Sequence, residues 1–385
     1  MTRILLYLIL CMTRLSCTPL QQFPIPLRQP EPTDSLSLQQ WKFQQILDQA
    51  VNQHKLVGVQ VSLQPPNGRV WNGASGTIDL DRHILMTPDR VIRIGSLTKT
   101  YTAVVILRLF ERGVLALDRT IDHWLPEYRQ AHRITLRMLL NHSSGIPDLL
   151  GMRVMFLSAT NSTMKWTEPE LLDMIFDENL DFNPGTDNQY SNSNYVLLGI
   201  IAERATGKSL QSLYHDEIFF PLSLNHTYFL PSDSIPAELV TGYDRNLIPL
   251  PGWHYTEPEN TAWSSCAYAS GGMAATASDV LAFVDAVMNR RIITEQSYVM
   301  MTQFTKAKKP KDKYLEHFGL GLFQYRDFYD GAYGHLGLFI GSEAVAIFST
   351  ERKFVLVFLV NVSRVDNSDA IIRKYLDLIF GHNGT

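Results

Sequence analysis

Residues 92–107 read Ile92-Arg93-Ile94-Gly95-Ser96-Leu97-Thr98-Lys99-Thr100-Tyr101-Thr102-Ala103-Val104-Val105-Ile106-Leu107. A β-type run from Val91 to Ile94 meets a glycine, Ser96 follows at once, and a long apolar helix begins. Ser96 and Lys99 are three positions apart, so on a helix they share one face. Ser96 falls in the first turn, where unpaired backbone N–H groups and the helix dipole favour negative charge. That suits a serine that must become alkoxide-like with a basic amine beside it. A serine here is also an ordinary helix N-cap, so the rest of the chain must decide. A second Ser-x-x-Lys, Ser162-Thr163-Met164-Lys165, acts as a control. No strand precedes it, and Trp166-Thr167-Glu168-Pro169 restarts the chain after it, so it is read as structural.

Composition bounds the possibilities. The 385 residues suffice for one large domain or two. A 45% hydrophobic and 19% charged content is that of an ordinary globular protein. Net charge is −4 with no long basic run, which leaves nucleic-acid binding without an electrostatic footprint. Arg3 followed by the apolar stretch Ile4–Met12 reads as a signal peptide over residues 1–17, too short for a stable membrane span. Export, to a periplasm or out of the cell, is therefore expected. A short membrane anchor is the competing reading, and a lipid on Cys17 fits poorly because Arg14 stands where an apolar residue is needed. With Cys11 and Cys17 in the leader, Cys266 is left alone and no internal disulfide framework can form. Asn-x-Ser/Thr triplets at Asn141, Asn161, Asn225, Asn361 and Asn383 matter only in a eukaryotic secretory pathway.

Residues 18–37 carry five prolines and read as an extended linker. Leu38–His54 has a helical stripe (Trp41, Ile46, Leu47, Ala50, Val51). Val57–Leu63 and Arg69–Ala74 read as strands about a Pro65-Pro66-Asn67-Gly68 turn. A helix over Lys99–Gly113 is apolar on all sides, as at the centre of a domain. From 115 to 268 the patterns are helical: Leu136–Leu140, Glu168–Phe176, Tyr195–Ala205 and Leu210–Phe220. A further helix opens at Thr276, strands return at Leu320–Tyr325, Glu343–Ser349 and Phe354–Val360, and Ala370–Phe380 closes as a helix. The expected fold is α+β, with an antiparallel sheet flanked by helices. Its sheet part is 38–114 plus 269–385, its mostly helical part 115–268, and together they form one catalytic domain over 38–385.

Two further elements carry chemistry. Asn183-Pro184-Gly185 leads to Tyr190-Ser191-Asn192, a polar loop before a helix that Ser193 or Asn194 could cap. A tyrosine beside a buried lysine is expected to lose its proton more easily and act as a base. Asn192 offers a donor and an acceptor, to a substrate amide or to the lysine. The alternative is a tyrosine packed in a loop beside an asparagine turn. Gly334-His335-Leu336-Gly337-Leu338 lies between strands, and its glycines suit close approach of another backbone. The N–H groups of Leu338 and Ser96 could hold an oxyanion. His335 would add a donor or partial positive charge. Taken alone, the string is also an ordinary turn.

In order and rough spacing, Ser96-Leu97-Thr98-Lys99, Tyr190-Ser191-Asn192 and His335-Leu336-Gly337 resemble the serine β-lactamase-like family. The likeness is to its class C β-lactamase and D-alanyl-D-alanine carboxypeptidase branch (peptidase family S12). Ile134–Asp148 and Ser270–Thr276 extend it, so that it covers Leu38 to the end. The resemblance implies an acylated nucleophile at Ser96 and proton transfer shared by Lys99 and Tyr190. It also implies a positioning role for Asn192, a substrate-binding strand with His335 and Gly337, and an oxyanion hole from the Ser96 and Leu338 amides. No cofactor or metal is implied; the partner is a small-molecule, peptide or ester substrate. Leu336 replaces the usual threonine or serine, and His335 the class C lysine, which weakens an efficient β-lactamase and leaves room for an esterase, amidase or peptidase. A true class C β-lactamase and a non-catalytic peptide- or peptidoglycan-binding descendant are the alternatives. No Gly-x-Ser-x-Gly elbow, His-Glu-x-x-His or paired-cysteine site occurs. Gly207-Lys208-Ser209 is read as a helix stop and His142 as structural.

Overall fold

The computed structural model describes residues 25, 30–81, 83–151, 158, 161–244, 254–308, 317–325, 331–365 and 367–381. The expected leader, Cys11, Cys17 and most of the linker lie outside these residues. Among the described residues no helix is long and apolar enough to cross a membrane.

The chain enters through α1 (Ser35–His54), whose N-cap Asp34 accepts from the Ser37 N–H. Strands β1 (Gly58–Gln64) and β2 (Trp71–Gly76) follow as a hairpin. Late in the chain come β11 (Tyr333–Phe339), β12 (Ser342–Ser349) and β13 (Phe354–Val360). Three two-residue strands, β8 (Thr305–Lys306), β9 (His317–Phe318) and β10 (Phe323–Gln324), finish an eight-stranded sheet of order β2-β1-β13-β12-β11-β10-β9-β8. All neighbours are antiparallel. The sheet thus joins the two ends of the chain, as the sequence pattern implies.

Strand β13 explains why. All seven of its residues are buried. Side chains alternate between the two faces of a strand. Phe354, Leu356, Phe358 and Val360 pack on one face with Phe43, Leu47 and Val51 of α1 and with Ile371, Ile372 and Tyr375 of the last helix, Ser368–Phe380. Val355, Val357 and Leu359 face the other core, which holds the central helix α2 (Thr98–Glu111) and the helix Ala277–Met288. A strand covered on both sides needs no polar face, so its sequence is uniformly apolar.

Several expected elements differ in extent. The segment 115–268 also contains strands. Thr227–Phe229 (β4) pairs with Met273–Ala275 (β7), which pairs with Ile92–Arg93 (β3), and Gly242–Asp244 (β5) pairs with His254–Thr256 (β6). Two- and three-residue strands are too short for a period-two pattern to show. Leu320–Tyr325 shrinks to β10, because Gly321 turns the chain at φ +74 and lies against the Ala103 side chain. Leu210–Phe220 begins as α-helix to Tyr214 and continues as a π-turn over His215–Phe219. The expected stop at Gly207 holds: it is the left-handed cap (φ +69) of the helix Asn192–Thr206.

The two-faced burial of β13 has a direct test. Phe358→Ala and Leu359→Ala, on opposite faces, should each destabilise the protein by about 2–5 kcal/mol in urea unfolding. Near-neutral behaviour of either would mean that its face is not a packed core.

Candidate active site

Ser96 sits in a single 3-10 turn, Gly95–Leu97, that feeds into α2. The turn is fastened by Thr98, whose hydroxyl donates to Gly95 O (2.7 Å) and accepts from the Met273 N–H (3.1 Å) of β7. Two glycines let this turn meet β11. Gly95 has φ +50, and a Cβ there would lie 2.7 Å from Leu338 O; a Cβ on Gly337 would lie 2.0 Å from Ile94 O. Any side chain at either place would push the Ser96 turn off the sheet.

One helical turn on from Ser96, Lys99 is completely buried. Its Nζ donates to Asn192 Oδ1 (2.7 Å) and Ser270 O (2.7 Å) and lies 3.2 Å from Ser96 Oγ. Burial lowers its pKa to about 7, partly offset by the charge of Asp148. The two carbonyl oxygens can only accept. A neutral Lys99 therefore spends its two N–H groups on them and turns its lone pair toward Ser96.

Tyr190 closes the other side: its Oη donates to Ser96 Oγ at 2.7 Å. The amine also lies 4.7 Å from the centre of the phenol ring. The expected acidic phenol is not found. Burial pushes the Tyr190 pKa up, and the Ser96 hydrogen bond only partly opposes it. An amine that itself tends to neutrality supplies little cation to stabilise a phenolate. At neutral pH Tyr190 thus has a proton to give, and Lys99 can take one.

Asn192 opens its helix rather than preceding it, and Ser191 is the cap residue, without a side-chain cap bond. The amide's orientation is set by Asp148, which accepts both the Nδ2 contacts (2.9 and 3.1 Å) and leaves Oδ1 facing the lysine. Of the two uses open to Asn192, the lysine is the one realised. Asp148 was present in the sequence pattern but carried no signal for this task, since the link runs through a second side chain. Ser270 O was equally silent, because a main-chain carbonyl has no residue signature.

His335 is buried on β11, its ring 6.3 Å from that of Tyr190 and its Nδ1 2.5 Å from Leu336 O. Burial first, and the nearby Lys99 second, lower its pKa to about 3. It is therefore neutral, so of the donor or partial positive charge expected of it only a donor is left, and Nδ1 gives that to Leu336 O. Gly337 is the crossing point with Ile94, and Leu338 presents a half-exposed side chain to the cleft. The control serine, Ser162, lies in a turn and uses its carbonyl to accept the Thr261 and Ala262 N–H groups. No group of metal-ligating side chains occurs among the described residues.

In front of Ser96 is a cavity of about 260 Å³. Leu150, Trp263, Phe339 and Ile340 give it apolar walls, and Asp244, Ser363 and Arg364 a polar end. The Ser363 hydroxyl donates to Asp244 Oδ2. A carbonyl compound entering here meets a hydroxyl flanked by a base and an acid, beside an apolar pocket.

A family model described as Beta-lactamase matches residues 43–379. Esterase EstB of Burkholderia gladioli is 30% identical over 275 residues, 63% of this chain and 68% of that protein. A penicillin-binding protein of Bacillus subtilis (strain 168) is 36% identical over 160 residues, 41% of this chain, and the chain spans only 35% of its length. Among solved structures, the D-amino acid amidase of Ochrobactrum anthropi SV3 complexed with L-phenylalanine amide superposes with a TM-score of 0.77 at 28% identity, covering 89% of this chain and 97% of that one. A D-stereospecific amidohydrolase from Streptomyces sp. gives 0.74 at 26%, covering 89% and 98%.

If neutral Lys99 activates Ser96, fluorophosphonate labelling of Ser96 should fall about tenfold per pH unit below its midpoint near 7. Asp148 raises the lysine pKa, so Asp148→Asn should move that midpoint to lower pH. It should also lower the plateau rate, because Asn192 loses the carboxylate that orients it. A midpoint that stays put or rises would contradict the arrangement.

Proposed function

The chain belongs to the beta-lactamase family, and from that premise we propose that it is a serine hydrolase cleaving small amides or esters through an acyl-enzyme on Ser96. The observation that carries the reading is the placement of Ser96 Oγ between the amine of Lys99 (3.2 Å) and the phenol of Tyr190 (2.7 Å). Ser96 Oγ attacks the substrate carbonyl and its proton passes to Lys99. The N–H groups of Ser96 and Leu338 hold the oxyanion. On collapse, Tyr190 protonates the departing amine or alcohol and regains a proton from Lys99. Water then repeats the sequence on the acyl-enzyme and releases the acid.

The favoured substrate is a neutral amide or ester with an apolar acyl group. Leu336 offers no hydroxyl to a carboxylate, and His335 offers no charge. The apolar walls of the cavity suit an aliphatic or aromatic acyl chain. An esterase and a D-amino acid amidase among the similar proteins agree with this range. The intact contacts of Ser96 with Lys99 and Tyr190 speak against a non-catalytic binder. Export is part of the proposal and rests on Arg3 and the apolar stretch Ile4–Met12.

A panel of a p-nitrophenyl ester, D-phenylalanine amide, a D-Ala-D-Ala peptide and nitrocefin tests the reading. The ester or the amide should turn over at least about tenfold faster in kcat/KM than the two carboxylate-bearing substrates, a difference of about 1.4 kcal/mol. Ser96→Ala should abolish all turnover. Activity retained in that variant would end the proposal.

A further inference from the structure

His142, a structural residue by its sequence, is tied to Tyr190 from three directions. Residues 187–191, which carry the phenol, have no helix or strand of their own. The carbonyl of His142 accepts the Gln189 N–H (2.9 Å), and its Nδ1 accepts the Ser191 N–H (3.2 Å). The residues on both sides of Tyr190 are thus held by one residue. The imidazole ring also lies against the phenol, with centroids 4.7 Å apart and planes 31° apart. On its other sides the ring meets Tyr195 (5.2 Å) and Phe318 (5.6 Å).

The donor in the Ser191 contact is a backbone N–H, so Nδ1 must be the acceptor and the ring proton must sit on Nε2. Asn194 Nδ2, 3.2 Å from the same Nδ1, agrees with that tautomer, because Asn194 Oδ1 is occupied in accepting from Ser144. His142 holds φ at +59, a conformation that costs a histidine energy. The same strain would be borne more easily by asparagine.

We propose that His142 is the positioning residue of the acid–base pair, a neutral Nε2–H imidazole that clamps the backbone on either side of Tyr190 and so sets the Oη–Ser96 Oγ contact. The inference rests on the hydrolase reading above, in which Tyr190 moves a proton to and from the reacting centre. His142 itself touches no substrate. A phenol displaced by a fraction of an ångström would still bind in its cleft but would transfer protons poorly. The consequence belongs to kcat rather than KM.

His142→Phe keeps an aromatic ring and removes the acceptor; His142→Asn puts an amide oxygen close to the Nδ1 position and tolerates the backbone angle. With the p-nitrophenyl ester of the panel, His142→Phe should lower kcat about tenfold or more while KM stays within about twofold, and His142→Asn should stay within about threefold of wild type. The cycle with Tyr190→Phe supplies the readout that mere loss of structure would not move. In that background His142→Phe should cost less than about twofold more. Full additivity, an unchanged kcat in His142→Phe, or a His142→Asn as slow as His142→Phe would each overturn the assignment. Should His142→Phe fail to fold, long-range 1H–15N spectra of the wild type decide instead. An Nε2–H tautomer is expected, and an Nδ1–H tautomer refutes the clamp. Activity surviving in Ser96→Ala, by contrast, would remove the hydrolase reading itself.

Discussion

A lysine amine with no access to water is the constraint around which the molecule is arranged. A buried ammonium is costly unless it is paired and fully hydrogen-bonded, and a buried neutral amine still needs acceptors for its N–H groups. Lys99 finds them in Asn192 Oδ1 and Ser270 O, which come from segments far apart in the chain. Neither is an anion. The carboxylate of Asp148 stands one side chain further off, behind Asn192. The site therefore solvates the amine without fixing its charge, and its pKa settles at about 7. The same dry surroundings push the phenol of Tyr190 upward. Two groups on one hydroxyl are thus driven toward their neutral forms, one able to take a proton and the other to give one.

The sheet makes that burial possible. Strand β13, buried on both faces, locks the two ends of the chain together and carries β12 and β11 with it. Strand β11 then passes the Ser96 turn so closely that only glycine fits at positions 95 and 337. The apolar helix behind Ser96, with Val104, Val105, Ile106 and Leu107 all buried, anchors the turn from inside. Rigid elements on both sides hold the hydroxyl, while the phenol arrives on coil that must be fastened by other means.

What was legible in the sequence follows from the reach of each signal. Ser96 and Lys99 are one helical turn apart, so local periodicity placed them together. Strand β13 was readable end to end, since burial on both faces leaves an unbroken apolar run. Tyr190 and Asn192 stood out locally as a polar loop before a helix, and the family-like order of motifs gave that loop its weight. Their meeting with Lys99 is a long-range fact that no local pattern encodes. Asp148 and Ser270 were missed because one works through an intermediate amide and the other through its main chain. The short strands inside 115–268 escaped for want of length. The direction of the Tyr190 shift differs from the expected one because desolvation, in a site this dry, is a larger effect than a neighbouring amine. Desolvation likewise leaves His335 neutral, which removes the charged alternative and keeps the donor.

The central claim is that Lys99 is a neutral amine in the working enzyme. Side-chain 15N NMR of lysine-labelled protein measures this directly, with Lys99→Met identifying the resonance. The account predicts an amine that titrates near 7. A Lys99 resonance that titrates at the ordinary lysine value of 10.5 would show an ammonium throughout the working range, unable to take the proton of Ser96, and would contradict it.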